Sequence, residues 1–271
     1  DLKHHIVTAD EINELSQETW NAPQYTDPNY EFHRELDWSH VDSEYRKFKK
    51  ECSREVNYLA KEFEMKKAAT AYSRESIAKT GVLDTGKLHT YKFNDDIFKK
   101  VTVRPDGKNH GMIFLLDWSG SMAEVIHDTY KQLLSLCLFC RKSGIPFDVY
   151  AFIQDGNHYP ENWNEEDYTG RPGTFHIPSS FFLLNFLNNR LNNQKFDQYA
   201  RDLWRVTYMY NYRYSYRYRW NSYQEQPSIN VPDALPHHLQ LGGTPLNEAV
   251  ACLQTLIPQF QAKSKVEKVH I

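Results

Sequence analysis

The chain has 271 residues, of which 40% are hydrophobic and 25% charged, and its formal net charge is −3. These values are typical of a folded globular protein with room for one large domain or two modest ones. So small a charge excludes a global attraction to polyanions, and no apolar run approaches the roughly 18 to 20 residues that cross a bilayer. We therefore expect a cytoplasmic protein without a membrane-spanning segment.

Residues 1–80 are predicted to form an N-terminal helical region. Apolar residues recur every three or four positions from Val41 to Phe63, which places them on one stripe of a helix. A shorter helix is expected around Leu15, ahead of Pro23. An apolar stripe must be covered, so this region is expected to pack on a neighbouring unit.

Residues 81–271 alternate between strand and helix patterns. A strand or two should lead into Met112 to Leu116, which is apolar at every position, as in a strand covered on both faces. Helical spacing from Ala123 to Cys140 and an apolar run from Phe147 to Ile153 complete one βαβ unit. The predicted fold class is α/β, with a Rossmann-like, doubly wound parallel sheet.

The α/β pattern is interrupted at about residues 154–240, which we interpret as a long insertion rich in Tyr, Asn and Arg. It resumes at "GGTPLNEAVACLQTLI", where Thr244 is expected to cap a helix and Pro245 to take its first position. The ending "VEKVHI" predicts a further strand.

The turn "DWSGSM" joins the predicted strand at Met112 to the helix that follows, and it places three oxygen-bearing side chains close together. Asp117, Ser119 and Ser121 alternate, and Gly120 is expected to allow a backbone angle or close approach that a side chain would block. Ligands gather at the carboxyl ends of parallel strands, and Mg²⁺ takes about six oxygen ligands. The turn therefore predicts a metal site. The alternative is a serine-rich turn in which Asp117 caps the next helix and no metal binds.

These residues resemble a known family. The run from Asp117 to Ser121 matches the D-x-S-x-S motif of von Willebrand factor A (VWA) domains, whose metal-ion-dependent adhesion site (MIDAS) binds a divalent cation. "GGTPLNEA" resembles the loop that supplies that family's distant threonine, here Thr244. The approach "GVLDTGKLHTYKF" is similar to the cobaltochelatase CobT group and its relatives in large tailed bacteriophages.

The resemblance implies a VWA domain over residues 81–271, in which Asp117, Ser119, Ser121 and Thr244 bind Mg²⁺ or Mn²⁺, directly or through water. The family's further aspartate, in a T-D-G sequence after the next strand, would lie beyond Ile271, so the domain is expected to be incomplete at its C-terminus. In this family a partner protein supplies an Asp or Glu to the metal. Proteins of the CobT group work beside a MoxR-type AAA+ ATPase.

The stretch "YMYNYRYSYRYRWNSY" alternates tyrosines with other residues, three of them arginines, and as a strand it would have one aromatic and one basic face. We considered packing on a helix predicted from Phe181 to Trp204, a protein partner, and single-stranded nucleic acid. The net charge disfavours nucleic acid. The candidate partner-binding residues are Tyr212, Arg213, Tyr216, Arg217 and Arg219.

Two other motifs have ordinary interpretations. "GVLDTGKL" nearly spells a phosphate-binding loop, but Leu88 stands where that loop needs Ser or Thr, so a plain turn is favoured. Cys137 and Cys140 lie within an apolar helical stripe without a second pair at zinc spacing, so core packing is favoured.

We therefore expect a metal-dependent, protein-binding adaptor that works with a MoxR-type AAA+ ATPase on a target, and we favour a non-catalytic subunit over an enzyme. If the chain is phage-encoded, it would act in the host cytoplasm or on the virion. The alternatives are a CobT-like subunit of an ATP-dependent cobalt chelatase and single-strand nucleic-acid binding through the Tyr/Arg stretch.

Overall fold

The structure, a computed structural model, describes residues 2–21, 37–73, 76–93, 97–103, 109–155, 177–218, 235 and 239–271. Within these ranges, none of the helices combines the length and the apolar character that crossing a bilayer requires.

The helices and strands alternate along much of the chain. In order they are β1 (Ile6–Val7), α1 (Ala9–Asn21), α2 (Ser39–Ser73), β2 (Ser76–Leu83), β3 (Phe98–Val103), β4 (His110–Asp117), α3 (Ile126–Lys142), β5 (Phe147–Gln154), β6 (Phe181–Asn188), α4 (Asn193–Tyr218), α5 (Leu246–Ser264) and β7 (Lys268–His270).

Five strands form a central, mostly parallel sheet in the order β1-β6-β5-β4-β7. The pairs β1–β6, β4–β5 and β4–β7 are parallel, whereas β5 and β6 are antiparallel. The register of the central pair runs from Met112 opposite Phe147 to Asp117 opposite Phe152. The predicted α/β class is thus confirmed, with the antiparallel β6 as the departure from an all-parallel sheet.

Helices cover both faces of the sheet, because the strands carry apolar side chains on both faces. On one face, Leu116 and Leu184 pack with residues of α1 to α4, among them Trp204. On the other face, Ile113 packs with residues of α5 such as Phe260. The two clusters make a three-layer arrangement with the sheet in the middle.

The order in which the chain adds strands to the sheet changes direction at β4. From β4 the chain passes to β5 and then to β6 on one side, and it returns to place β7 on the other side of β4. In open α/β sheets, ligands bind outside the carboxyl ends of the strands at such a switch point. The carboxyl end of β4 is Asp117, so the topology places the predicted metal turn at this position.

The N-terminal helices are joined to the α/β unit by a network centred on Arg205 of α4. Its guanidinium donates to both carboxylate oxygens of Asp42, at 2.8 and 2.7 Å, and to Asp202 at 3.3 Å. The same group lies 5.7 Å from the ring centre of Trp20 and 5.0 Å from that of Trp38.

Helix α1 reaches the same network through amide donors. Asn13 and Gln17 donate to Asp202 at 2.8 and 3.1 Å. Burial raises the pKa of Asp202, and the nearby arginines oppose that rise. One buried cluster of charges and amides therefore fastens α1, α2 and α4 together, which matches the expectation that the N-terminal helices pack on a neighbouring unit.

Two sequence predictions between Phe181 and Tyr218 were wrong. The helix predicted from Phe181 to Trp204 is strand β6 followed by the first half of α4, and the Tyr/Arg stretch predicted as a strand continues α4 up to Tyr218. Positions two apart lie about 200° around a helix axis, so a helical backbone does not produce the two-sided alternation expected of a strand. The segment set apart as an insertion thus contributes β6 and α4 to the core.

The strands β2 and β3 pair antiparallel as a separate two-stranded sheet and do not join the central one. Between them, the "GVLDTGKL" run passes from β2 through a turn into a short 3₁₀ helix at Leu88–Thr90. A phosphate-binding loop requires a helix N-terminus after the Gly-Lys pair, and a three-residue helix does not supply it. The interpretation as a turn is confirmed.

Arg205→Met should lower the free energy of unfolding by about 3 to 5 kcal/mol, because it leaves Asp42 and Asp202 partly buried without their cation. Urea denaturation followed by circular dichroism measures this loss. The matched control is Lys49→Met, which breaks the more exposed ion pair with Asp197 and should cost at most about 1 kcal/mol. Equal losses in the two variants would show that the Arg205 network is not the stronger fastening.

Stability should also depend on pH through His127 of α3, which is 3% exposed. Thr207 donates its hydroxyl proton to the carbonyl of Trp204, so it accepts from Nδ1 of His127, 3.0 Å away. Burial, and secondarily Lys131, lowers the pKa of His127 to about 4, against the effect of Asp128.

A histidine in the unfolded chain has a pKa near 6.5, above that of His127 in the folded protein. The contribution of neutral His127 to the free energy of unfolding is therefore complete above pH 6.5. It is lost as the pH falls towards 4, by about 3 kcal/mol in total. The difference in unfolding free energy between the wild type and His127→Gln should shrink over this interval. Burial raises the pKa values of Asp148 and Asp202, so these two groups favour the folded state as the pH falls and oppose the effect of His127. Both proteins contain them, so their contribution cancels when the two unfolding free energies are subtracted. His89→Gln, at an exposed position, should follow the wild-type curve, and a constant difference for His127→Gln would contradict the account.

Candidate metal centre

The turn after β4 brings three of the four predicted metal-binding residues together. Asp117 is the last residue of β4, Trp118 is fully buried, and Ser119 has an extended backbone. A 3₁₀ helix at Gly120–Glu124 then leads into α3. The strand therefore ends in a tight turn whose side-chain oxygens lie at the switch point of the sheet.

The oxygen atoms of this turn have a geometry that suits a cation. The hydroxyls of Ser119 and Ser121 are hydrogen-bonded to each other, with their oxygens 3.0 Å apart. Two neighbouring ligands of an octahedral Mg²⁺, each about 2.1 Å from the ion, would be separated by about 3.0 Å. Oδ1 of Asp117 is buried and has no hydrogen-bond partner among the described residues. A buried carboxylate oxygen without a donor is costly unless a cation compensates it.

Helix capping does not account for these residues. Ser119 occupies the N-cap of the 3₁₀ helix and Val125 that of α3, and neither helix start has a side-chain capping hydrogen bond. The alternative in which Asp117 serves as a helix cap is therefore not what the structure shows.

The GGT loop packs directly against the Asp117 turn. The amide of Gly120 donates to the carbonyl of Gly242 at 2.9 Å, and the amide of Gly242 donates to the carbonyl of Trp118 at 3.2 Å. Gly243 and Gln154 exchange two backbone hydrogen bonds of 2.9 and 3.3 Å. One short loop thus bridges the carboxyl ends of β4 and β5.

Gly242 is required for this contact, whereas Gly120 is not. A Cβ atom on Gly242 would lie 2.2 Å from the carbonyl oxygen of Gln154, a distance that backbone atoms cannot accommodate without moving. A Cβ atom on Gly120 would meet only the carbonyl oxygen of Gly242, at 3.9 Å, and Gly120 does not have a positive φ. The expectation that Gly120 enables a close approach was wrong, and the close approach belongs to Gly242.

Two aromatic residues outside the predicted metal-binding set, Trp118 and Tyr210, hold the loop in place through hydrogen bonds. The indole nitrogen of Trp118 donates to the carbonyl of Leu239 at 3.1 Å. The hydroxyl of Tyr210 donates to the same carbonyl at 2.8 Å and accepts from the amide of Leu241 at 3.0 Å. For Trp118, one indication of this role was present in the sequence, which is a large aromatic residue at a position where D-x-S-x-S accepts any residue. Within the Tyr/Arg stretch, Tyr210 therefore has a structural role, because its hydroxyl bonds the backbone of Leu239 and Leu241.

Thr244 lies two residues beyond Gly242, at the same edge of the sheet, and it is exposed. It does not cap α5 as predicted, because Pro245 occupies the N-cap position and no side-chain capping bond is present. The carbonyl of Thr244 accepts from the amide of Leu246 at 3.0 Å, while its hydroxyl makes no hydrogen bond to another described residue. The structure therefore brings the loop that carries Thr244 to the Asp117 turn with the hydroxyl unused.

The donor set contains one carboxylate and three hydroxyls. Among the described residues, no group of three or more His, Cys, Asp or Glu side chains is placed to hold a metal. Hydroxyl and carboxylate oxygens suit hard ions such as Mg²⁺ or Mn²⁺ better than zinc, which prefers nitrogen and sulfur. With a single formal charge, these residues would leave a bound ion attractive to a further anion.

The candidate partner-binding residues of the Tyr/Arg stretch are not part of this centre. Tyr212, Arg213, Tyr216 and Arg217 lie on the last turns of α4, where only the backbone is described. Arg219 lies outside the described residues.

Comparison with protein-family models, curated proteins and solved structures found no match to this chain.

Gly242→Ala should lower the free energy of unfolding by about 1 to 3 kcal/mol, because the added methyl group must displace the carbonyl of Gln154. Gly120→Ala is the matched control and should change stability by less than about 0.5 kcal/mol. Thermal denaturation of both variants tests this, and a Gly242→Ala protein as stable as Gly120→Ala would contradict the close approach.

Proposed function

We propose that this chain is a VWA-type protein whose MIDAS binds Mg²⁺ or Mn²⁺ and, through that ion, a partner protein. The observation that carries the proposal is the convergence of the Asp117 turn and the Gly242–Thr244 loop at the switch point of the sheet. The unpartnered carboxylate oxygen and the 3.0 Å hydroxyl spacing support a cation there. The D-x-S-x-S match supports the family.

Each residue would have a definite part in this function. Asp117 would bind the ion directly and supply the only formal negative charge of the set. Ser119, Ser121 and Thr244 would supply hydroxyl oxygens, directly or through water, without adding charge. Trp118 and Tyr210 would keep the Thr244 loop in place. When bound, the ion supplies a positive charge that attracts an Asp or Glu carboxylate from outside the chain.

A charge-poor donor set favours recognition of a partner rather than tight, permanent chelation. The protein's own residues leave ligand positions to be filled, and a partner carboxylate would fill one of them. Binding to the partner would then require the divalent ion. We therefore propose an adaptor and not an enzyme.

The resemblance to the CobT group extends the proposal to a MoxR-type AAA+ ATPase as the partner that hydrolyses ATP. The β2–β3 hairpin is where that resemblance is most specific, and its "GVLDTGKL" run forms a turn instead of a phosphate-binding loop. In such a complex, this chain would connect the ATPase to the target. A target engaged in a host cell or on a virion would follow if the chain is phage-encoded.

Mg²⁺ should raise the free energy of unfolding of the wild type, by about 2.7 kcal/mol at a hundred times its dissociation constant. Asp117→Asn should abolish this gain, because the amide supplies no charge. Without Mg²⁺ the same variant should be about 1 kcal/mol more stable than the wild type, since it removes a partly buried carboxylate whose Oδ1 has no hydrogen-bond partner among the described residues. Urea denaturation with Mg²⁺ or with EDTA measures both effects.

Asp128→Asn is the control for this experiment. It removes the same charge from the exposed surface of α3, where Asp128 pairs with Lys131 at 2.9 Å. Its response to Mg²⁺ should equal that of the wild type. A loss of stability for Asp117→Asn in EDTA, with no effect of Mg²⁺ on the wild type, would assign Asp117 a purely structural role and refute the proposed function.

A further inference from the structure

The first two turns of α5 carry an apolar surface that its core packing does not use. Leu246 and Val250 are each 52% exposed, and they lie four positions apart on the same side of the helix. The buried side of α5 is formed by other residues, among them Ala249, Leu253 and Phe260. We call the exposed pair, Leu246 and Val250, the apolar ledge.

The apolar ledge is continuous with the candidate metal centre. It begins two residues after Thr244, and the amide of Leu246 donates to the carbonyl of Thr244 at 3.0 Å. The same loop pairs with Ser119 through Gly242. Val250 lies about 6 Å further along the helix axis, at 1.5 Å per residue. A segment that runs from the metal along α5 would therefore meet Leu246 first and Val250 next.

The two surfaces select different chemistry. The donor set of one carboxylate and three hydroxyls leaves a bound divalent ion with net positive charge, and the positive end of the α5 dipole lies beside it, so an anion is favoured. The ledge offers no charge or hydrogen bond from its side chains and favours burial of an apolar group. An anion alone would leave the ledge exposed, and an apolar segment alone would leave the metal without its ligand.

We propose, on the basis of the proposed function, that the partner presents an Asp or Glu with a large aliphatic or aromatic residue close to it in sequence. An extended chain advances about 3.3 to 3.6 Å per residue, so a residue one to three positions from the carboxylate lies about 3 to 11 Å from it along the chain. The carboxylate completes the metal centre and the neighbouring apolar side chain covers Leu246 and Val250. The ledge is thus the specificity determinant that distinguishes this motif from other acidic surfaces.

The test uses two capped pentapeptides, one with a central glutamate flanked by two leucines and one with serines in place of the leucines. Methyl-labelled full-length chain is titrated with each peptide in saturating Mg²⁺ and in EDTA, and the dissociation constants are taken from NMR shifts. The leucine peptide should bind at least tenfold more tightly than the serine peptide in Mg²⁺. EDTA should abolish binding of both.

The double variant Leu246→Gln with Val250→Thr should reduce the preference for the leucine peptide to less than threefold, while its Mg²⁺ affinity, measured by calorimetry, stays at the wild-type value. Glutamine has nearly the helix propensity of leucine and threonine nearly the shape of valine, so α5 is retained. Leu136→Gln, at a leucine of α3 that is 47% exposed, is the matched control and should keep the wild-type preference.

The outcomes separate the two proposals. Mg²⁺ binding without any preference between the peptides, or a preference that persists in the double variant, overturns the ledge and leaves the metal centre standing. Absence of Mg²⁺ binding by the wild type overturns the proposed function, and the ledge with it.

Discussion

The close approach of the Gly242–Gly243 backbone to the ends of β4 and β5 is the contact on which the rest of the site depends. It joins the Asp117 turn to a loop much further along the chain, and only a residue without a Cβ fits beside the carbonyl of Gln154. Trp118 and Tyr210 fix the preceding residues of that loop. Because Tyr210 belongs to α4, the site also depends on the helical layer that the Arg205 network fastens together.

The part of the fold that could be predicted from the sequence is the part with strong local signals. The run from Met112 to Leu116 within β4 is apolar at every position, and apolar residues recur every three or four positions in the helix after it, so both elements were recognised. The segment from Phe181 to Tyr218 was misread because its signals conflict. β6 is apolar except at Asn185 and Asn188 and resembles a buried helix, while the alternating tyrosines of α4 resemble a strand, and tertiary packing decided both. For the site, the motif predicted the candidate donors, and that remains a prediction. The roles of Gly242, Trp118 and Tyr210 follow from contacts between distant parts of the chain, which local spacing cannot show.

The charge of the donor set links the structure to the proposed function. Had the turn carried several carboxylates, it could neutralise a divalent ion by itself and would have little need of an external anion. One carboxylate and three hydroxyls would leave that need, and an ion at the switch point would lie where ligands bind in open α/β sheets. In the proposed account, the exposed ledge on α5 adds an apolar requirement to the electrostatic one. Affinity and specificity would come from different atoms of the same edge.

The central claim is that the Asp117 turn and the Thr244 loop hold one divalent ion between them. Paramagnetic broadening by Mn²⁺, added well below the protein concentration, tests this most directly in the amide NMR spectrum. The account predicts that the signals of Ser119, Ser121 and Thr244 are lost together and first. Broadening centred elsewhere, for example at the exposed pair His110 and His270, whose ring nitrogens lie 2.9 Å apart, with Thr244 unaffected, would contradict it.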